Sequence, residues 1–285
     1  MDFSQAGCDA YKDAALLDRA LEIREYLKKD TEAFTGWVNW AGNMPKEWMS
    51  EMNKVAEDIR KKCDKLIVIG IGGSYLGSAA VIEALGGSKP GCPELVFAGN
   101  NMSGYYHAAL KELVDNNEIC LCVVSKSGGT MESRLAFSIL KDWMYEKYGK
   151  EETAKRIVAV TDPAKGILRE ESDREGYVTF EIPGNIGGRY SAFTPGIMFP
   201  LAVAGVDIDA FVKGAKAAAD DEAFWKGCEG CVNIGVLRER NRKFCICTAM
   251  LFDPEEHLPA KIPQDVIDRI NRLEGRITNS QEFRD

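Results

Sequence analysis

Residues 66–77 of this sequence have the pattern of a loop that holds an anion. An apolar run (Leu-Ile-Val-Ile) leads into a glycine-rich turn that carries Ser74, and helix-forming sequence follows. Glycine lets backbone N–H groups approach an anion closely, and the first turn of the next helix adds unpaired donors and the positive end of its dipole. The spacing therefore favours a phosphate or carboxylate ligand at this turn.

A second segment repeats the arrangement with hydroxyl groups in place of some glycines. The apolar residues 119–124 run into Ser125, Lys126, Ser127 and, three positions on, Thr130. Three hydroxyls and one ammonium within six residues suit a phosphate monoester, whose oxygens each accept several hydrogen bonds. We therefore predict that a phosphate monoester binds here.

The common nucleotide-binding motifs do not fit either loop. Tyr75 stands where the dinucleotide fingerprint has its third glycine, and no acidic residue follows residues 94–97 to bind a ribose. Neither loop contains the Gly-Lys-Ser/Thr of a nucleotide P-loop. Either loop alone could be only a tight turn between a strand and a helix. Two such loops in one sheet favour a ligand.

A third candidate lies at residues 186–191, where the sequence reads Ile-Gly-Gly-Arg-Tyr-Ser. Two glycines beside Arg189 allow the backbone to turn its guanidinium into a cleft. The planar, permanently charged fork of arginine suits a phosphate or an oxyanion. Taken alone, this arginine could equally be a surface or ion-pair residue.

Strands and helices alternate through the middle of the chain. We predict strands over residues 65–71, 94–98, 119–124, 157–161 and 177–181, and helices over 11–28, 45–59, 74–85, 105–114, 130–148, 165–173 and 196–204. Short apolar strands separated by helical crossovers predict an α/β fold, a five-stranded parallel sheet flanked by helices. Ligands of such sheets bind at the carboxyl ends of the strands, where both loops fall.

This pattern divides the chain into three parts: a helical lead-in over residues 1–62, an α/β domain over 63–218, and a partial or diverged second unit over 219–285. A net charge of −8 argues against binding nucleic acid over a broad surface. The N-terminus lacks the features of a signal peptide, and no apolar stretch is long enough to span a bilayer. A cytoplasmic protein without membrane contact is expected.

Nine cysteines without a secretion signal indicate reduced thiols. Cys120 and Cys122 alternate in an apolar strand and should pack on one face of the sheet. A zinc site could form from Cys228, Cys231, Cys245 and Cys247. However, the single residue between the last two is typical of a strand, so no metal site is predicted.

Three blocks of sequence together resemble the phosphoglucose isomerase family: residues 68–74 (Val-Ile-Gly-Ile-Gly-Gly-Ser), residues 123–133 (Val-Val-Ser-Lys-Ser-Gly-Gly-Thr-Met-Glu-Ser) and residues 187–195 (Gly-Gly-Arg-Tyr-Ser-Ala-Phe-Thr-Pro). The resemblance implies a sugar isomerase fold, a sugar phosphate as substrate, no cofactor and a homodimer.

It also implies roles for individual residues. Ser125, Ser127 and Thr130 would hold the phosphate with Lys126 alongside. Gly73 and Ser74 would line the sugar, and Arg189 would stabilise the enediolate that forms during isomerisation.

The resemblance fades beyond residue 218. The family's second domain supplies a catalytic glutamate, a ring-opening histidine and a late lysine, and the pattern of this chain indicates a C-terminally truncated or diverged member. Glu274 is interpreted as a solvated helix-end residue, and His107 and His257 as structural or exposed.

Two functions follow from this interpretation. The first is the interconversion of glucose 6-phosphate and fructose 6-phosphate through an enediolate. The alternative is a phosphosugar-binding module without catalysis. From the loss of the late family residues we predict binding without normal turnover.

Overall fold

Five short strands form one sheet in which all neighbours are parallel. The computed structural model describes residues 35–220, together with Glu25 and Lys29. These residues fall within one unit, Leu21–Glu222. The strands, in the spatial order β2-β1-β3-β4-β5, are β1 Lys65–Ile69, β2 Glu94–Ala98, β3 Ile119–Val124, β4 Ile157–Thr161 and β5 Val178–Glu181. The predicted α/β fold with a five-stranded parallel sheet is confirmed.

Helices flank this sheet. They are α1 Trp40–Asn43, α2 Lys46–Arg60, α3 Leu76–Ala84, α4 Gly104–Asn116, α5 Met131–Tyr148, α6 Lys150–Ala154, α7 Ile167–Glu175, α8 Pro195–Val203 and α9 Ile208–Asp220. Short 3-10 turns lie at Gly36–Val38, Gly72–Ser74 and Gly188–Tyr190. Within the described part of the chain, no helix has the length and apolar character needed to cross a membrane.

Both faces of the sheet are buried because successive side chains of a strand point in opposite directions. Leu66 and Val68 of β1 join the core on the face covered by α2 and α8. Ile67 and Ile69 join the core on the face covered by α4 and α5. Such two-sided burial explains why the strands read as continuous apolar runs and were predictable from the sequence.

Cys120 and Cys122 lie on the same face of β3, as predicted, and both are fully buried in the core beside α2 and α8. A hydrogen bond with Cys63, followed by burial, raises the pKa of the Cys120 thiol. Burial alone raises the pKa of the Cys122 thiol. These cysteines therefore remain protonated and act as small apolar side chains.

The clearest difference from the sequence prediction is at the end of β1. That strand was expected to reach residue 71 but ends at Ile69, although the N–H of Gly70 still donates to Ala98 O at 3.0 Å. The prediction was wrong because the chain leaves the sheet there to enter the 3-10 turn Gly72–Ser74. Helices α6 and α9 were not predicted, and the helix expected over residues 11–28 lies outside the described residues except for Glu25.

Helix α2 packs against α8, and an arginine of α2 forms hydrogen bonds with the last carbonyl groups of α8. Met52, Ala56 and Ile59 form the buried stripe of α2, at the spacing of one helical face. The Arg60 guanidinium donates to the carbonyl oxygens of Val203, at 3.2 Å, and of Ala202. A cation that satisfies the last carbonyls of a helix also interacts favourably with its dipole. Arg60 therefore caps the buried helix α8.

We expect Arg60→Met to lower the free energy of unfolding by about 1–3 kcal/mol, because two partly buried carbonyls lose a charged donor. The neighbouring Lys61→Met is the control, since the Lys61 side chain is 73% exposed and pairs only with Asp58 among the described residues. Urea unfolding measures both. Equal stability of the two variants would contradict the capping role.

Candidate active site

Three loops meet at the carboxyl edge of the sheet. Strands β1 and β3 are parallel neighbours, so the loops that follow them leave the sheet side by side. The 3-10 turns Gly72–Ser74 and Gly188–Tyr190 pack against each other. The Nζ of Lys126, in the loop after β3, donates to Gly184 O at 2.9 Å. The structure thus brings all seven predicted site residues to one edge, as the positions of their loops predicted.

The Gly73 and Gly188 backbones touch without a side chain between them. A Cβ atom added to Gly73 would lie 1.9 Å from the carbonyl oxygen of Gly188, far inside any real contact. The Ser191 hydroxyl lies 2.9 Å from Gly73 O and 2.6 Å from Gly188 O, so its proton serves carbonyls of both turns. Glycine at position 73 is therefore required for the close approach of these loops.

The loop of residues 125–130, here called the hydroxyl loop, satisfies its own backbone with serine oxygens. Ser125 Oγ accepts from the N–H of Gly128 at 3.0 Å, and Ser127 Oγ accepts from the N–H of Gly129 at 3.1 Å. Neither hydroxyl donates to another residue in the described part of the protein. Because both oxygens act as acceptors within the loop, their protons are left to donate to an anion.

Thr130 is the residue that precedes helix α5, yet its side chain makes no capping hydrogen bond. Its hydroxyl therefore does not compete with a ligand for the helix N–H groups. The 18-residue helix that follows directs the positive end of its dipole towards the hydroxyl loop. Loop hydroxyls and helix N-terminus together make a region suited to a phosphate.

The start of helix α7 supports the hydroxyl loop from behind. Gly128 has φ +70°, and a Cβ atom there would lie 2.4 Å from the backbone nitrogen of Leu168. Ile167 donates its N–H to Ser127 O at 3.0 Å, and Gly166, with φ +107°, leaves room for that carbonyl. This backbone contact fixes the loop without any bound ligand.

The ionised carboxylate of Asp162 lies beside the hydroxyl loop, but it accepts hydrogen bonds from its own turn. The N–H of Asp162 donates to Lys126 O at 3.2 Å. Its carboxylate accepts from the N–H groups of Ala164 and Lys165, which lowers the pKa of Asp162. Asp162 therefore shapes the loop after β4.

Arg189 lies on the 3-10 turn Gly188–Tyr190, and its side chain is exposed. It forms no ion pair with any residue in the described ranges, so its guanidinium is available to an anionic ligand. Its backbone nitrogen lies opposite Gly73, where an added Cβ atom would come within 3.1 Å of it.

The structure also shows contacts that the sequence did not reveal. The ring of Tyr190 stacks on Trp37, and the Tyr75 hydroxyl accepts from Asn100 Nδ2 at 3.3 Å. Trp37 and Tyr190 are far apart in the chain, and no local pattern pairs them. Ser191 was part of a recognised motif, but its hydroxyl contact with Gly73 depends on the tertiary fold.

Of the other groups that the sequence singled out, the structure describes His107. His107 lies on α4 with Nδ1 3.0 Å from Ser103 O, consistent with the predicted structural role. The residues that the structure describes contain no cluster of three or more potential metal ligands. Cys228, Cys231, Cys245, Cys247, His257 and Glu274 lie outside the described residues.

The Gly73–Gly188 contact yields an asymmetric prediction. Gly73→Ala should lower the free energy of unfolding by about 2 kcal/mol or more, because a backbone oxygen blocks the new methyl group. Gly188→Ala should change it by at most about 1 kcal/mol, since a Cβ atom there meets nothing within 4 Å. Thermal and urea unfolding measure both variants. An equal loss of unfolding free energy at the two positions would refute the contact.

The two serines of the hydroxyl loop should differ in their effect on stability. Ser125→Ala should cost about 1–3 kcal/mol, because the Gly128 N–H loses its acceptor at a nearly buried position. Ser127→Ala removes an exposed hydroxyl and should stay within about 0.5 kcal/mol of the parent. Urea unfolding of both variants tests this difference, which a similar loss of stability in both would contradict.

Comparisons with known proteins agree with this geometry. A family model described as phosphoglucose isomerase matches residues 28–237. The glucose-6-phosphate isomerase of Acetivibrio thermocellus is 46% identical over 195 residues, covering 66% of this chain and 44% of the relative. That of Clostridioides difficile is 45% identical over 195 residues, covering 66% of this chain and 43% of the relative. The chain thus spans less than half the length of these curated relatives.

Solved structures show the same fold. A hypothetical protein of Thermus thermophilus matches with a TM-score of 0.69 at 27% identity, covering 84% of this chain and 55% of that protein. A glucose-6-phosphate isomerase from Chlamydia trachomatis matches with a TM-score of 0.58 at 23% identity, covering 79% of this chain and 50% of that protein.

The family match covers well over half of the sequence and extends past residue 218, where the recognisable motifs end. The chain therefore belongs to the phosphoglucose isomerase family.

Proposed function

We propose that the carboxyl-edge site binds glucose 6-phosphate and fructose 6-phosphate for their interconversion. One observation carries the proposal: Ser125 and Ser127 accept hydrogen bonds from their own loop, so their hydroxyl protons are left for an anion. Membership in the phosphoglucose isomerase family supports the choice of a sugar phosphate as that anion. The names of the relatives from Acetivibrio and Clostridioides support the choice of sugar.

In this proposal the hydroxyl loop holds the phosphate. Ser125, Ser127 and Thr130 donate to its oxygens, and the Lys126 ammonium supplies a positive charge beside them. Lys126 donates to Gly184 O in the free protein, but an ammonium carries three protons and can serve both acceptors. The phosphate fixes one end of the substrate, and the rest of the sugar extends along the edge of the sheet.

The sugar would then lie along the outer edge where the turn after β1 meets the loop that carries Arg189. Gly73 and Ser74 line it from one side, because their turn is packed directly against the turn of Arg189. The close approach of these turns supports a position of the reacting carbons near the guanidinium. Binding of the remote phosphate thereby orients the atoms that react.

Isomerisation moves a proton between C2 and C1 of the open-chain sugar. A base removes the proton from C2 of the aldose, and the electrons of that bond form an enediolate whose negative charge lies on oxygen. The same proton returns to C1 while the hydroxyl proton of O2 passes to O1, which leaves C2 as the carbonyl of the ketose. A fixed cation at the developing oxyanion lowers the barrier, and we assign that role to Arg189.

The composition of the site favours a second candidate function. None of the seven site residues is a carboxylate or a histidine, the groups that most often act as a positioned base. A site with a phosphate clamp and a cation, but without a base, binds a phosphosugar without converting it.

The homodimer and the cytoplasmic location stay predictions from the sequence and family resemblance.

The phosphate clamp predicts a loss of affinity for fructose 6-phosphate in Ser127→Ala combined with Thr130→Ala. Each lost hydrogen bond to a charged group costs about 1.5–3 kcal/mol, so the affinity should fall at least about tenfold. Ser138→Ala, which removes an exposed hydroxyl from α5, is the control. Calorimetric titration measures the three proteins, and unchanged affinity in the double variant would refute the clamp.

The rate of fructose 6-phosphate conversion separates the two functions. Binding of fructose 6-phosphate without turnover assigns the phosphosugar-binding function to this chain. Turnover at ordinary enzymatic rates assigns the isomerase function. Arg189→Ala should then lower kcat about 10²- to 10³-fold, because a positioned donor to the oxyanion is lost. Turnover that is insensitive to Arg189→Ala would contradict its assigned role.

A further inference from the structure

We propose that Trp37 is a positioning residue for Arg189. The inference rests on the proposed function in one respect, namely that Arg189 stabilises the charge of the enediolate. Residues 182–194, here called the Arg189 loop, connect β5 to α8. Trp37 comes from a separate part of the chain, before the first strand, and contacts this loop beside Arg189.

The contact is a parallel stack of two aromatic rings. The ring centroids of Trp37 and Tyr190 are 4.6 Å apart and the ring planes differ by 8°. Such a separation is typical of a favourable aromatic pair. Tyr190 follows Arg189 within one 3-10 turn, which the N–H of Tyr190 closes by donating to Gly187 O at 2.9 Å. Fixing the Tyr190 ring therefore fixes the rotation of the turn and the direction in which Arg189 leaves it.

The backbone on either side of Trp37 strengthens the contact. Thr35 forms an antiparallel bridge with Ile186, and the N–H of Gly36 donates to Asn185 O at 3.2 Å. The hydrogen bond belongs to this bridge, which reaches the Arg189 loop before the arginine.

A second contact reaches the loop after the arginine, where the Trp40 indole N–H donates to Phe193 O at 2.7 Å. Residues 35–40 thus follow the Arg189 loop along its length, with Trp37 in the middle. The Ser191 hydroxyl also contacts Gly73 O. The Arg189 loop is therefore held both by residues 35–40 and by the turn that follows β1.

This support matters because Arg189 itself is weakly held. Its side chain is exposed and pairs with no acidic residue in the described ranges. The position of its backbone turn therefore determines which region the guanidinium can reach. Stabilising an oxyanion requires a donor about 2.7–3.1 Å from the developing charge. A small displacement of the turn would move the guanidinium out of this range. Trp37 can thus influence the reaction without touching the substrate.

A first experiment needs no ligand. Trypsin cleaves after arginine, and cleavage of a folded protein follows the local opening of its loops. Trp37→Ala should accelerate cleavage of the Arg189–Tyr190 bond about threefold to tenfold, the effect of losing one aromatic stack. In Trp37→Phe, which keeps an aromatic ring, the cleavage rate of this bond should stay near that of the parent. Mass spectrometry identifies the cleaved bonds.

The control for this experiment is Trp143→Ala, since Trp143 is a half-buried tryptophan that packs against the core beside α4 and α5. It should leave cleavage at Arg189 unchanged. Acceleration at every bond alike in Trp37→Ala, or none at Arg189, would overturn the proposal. If Trp37→Ala does not fold, Trp37→Leu replaces it, because leucine keeps apolar bulk without a ring to stack.

A second experiment measures whether the substitution of Trp37 changes ligand affinity through Arg189. A five-carbon aldonic acid phosphate has a carboxylate that resembles an enediolate, and the matching alditol phosphate lacks that charge. Trp37→Ala should weaken binding of the acid about threefold to tenfold while changing affinity for the alditol less than about twofold. In an Arg189→Ala background the loss for the acid should disappear, because both substitutions act through one guanidinium.

A merely structural role for Trp37 would give a different result. Affinity for both probes would fall equally, and the loss would persist without Arg189, which would overturn the positioning role. Binding of neither probe by the parent chain would instead overturn the proposed function. The cleavage experiment then decides the role of Trp37 independently.

Discussion

The backbone contact between Gly73 and Gly188 determines the geometry of the site. It joins the loop after β1 to the loop that carries Arg189, and a Cβ atom on Gly73 would lie 1.9 Å from the Gly188 carbonyl oxygen. With no side chain between them, the turns sit at a fixed and short distance. The Ser191 hydroxyl bridges the same carbonyls. Arg189 is therefore held directly opposite the turn that we assign to the sugar.

The sheet provides the second constraint. Because β1 and β3 are adjacent and parallel, the turn after β1 and the hydroxyl loop after β3 emerge at one edge. The cores on both faces keep these strands in register, so apolar burial at the centre of the domain positions polar groups at its edge. The proposed phosphate binding and charge stabilisation thus depend on the same framework as folding.

The hydroxyl loop shows how the same residue type serves folding and binding. Ser125 is buried and completes the loop, whereas Ser127 makes the equivalent bond at an exposed position. Both oxygens accept from the backbone, and neither hydroxyl donates to another residue in the described part of the chain. A loop that is already satisfied internally presents its donors without a ligand to organise it. Preorganisation of this kind reduces the entropy lost on binding.

Much of this arrangement could be predicted from the sequence because the relevant signals are local. Buried parallel strands appear as short apolar runs, and loops that bind anions appear as glycine and hydroxyl clusters after them. The pairing of Trp37 with Tyr190 could not be predicted, because it joins residues that only the tertiary fold brings together. The early end of β1 was also missed, since the isoleucine at position 71 continues the apolar pattern while the backbone already turns.

The most direct test of the account is a crystal structure of the chain with fructose 6-phosphate bound. The account predicts phosphate oxygens within hydrogen-bond distance of the hydroxyls of Ser125, Ser127 and Thr130. It also predicts that the first two carbons of the sugar lie between Ser74 and the Arg189 guanidinium. A phosphate bound away from the hydroxyl loop, or a sugar directed away from Arg189, would contradict it.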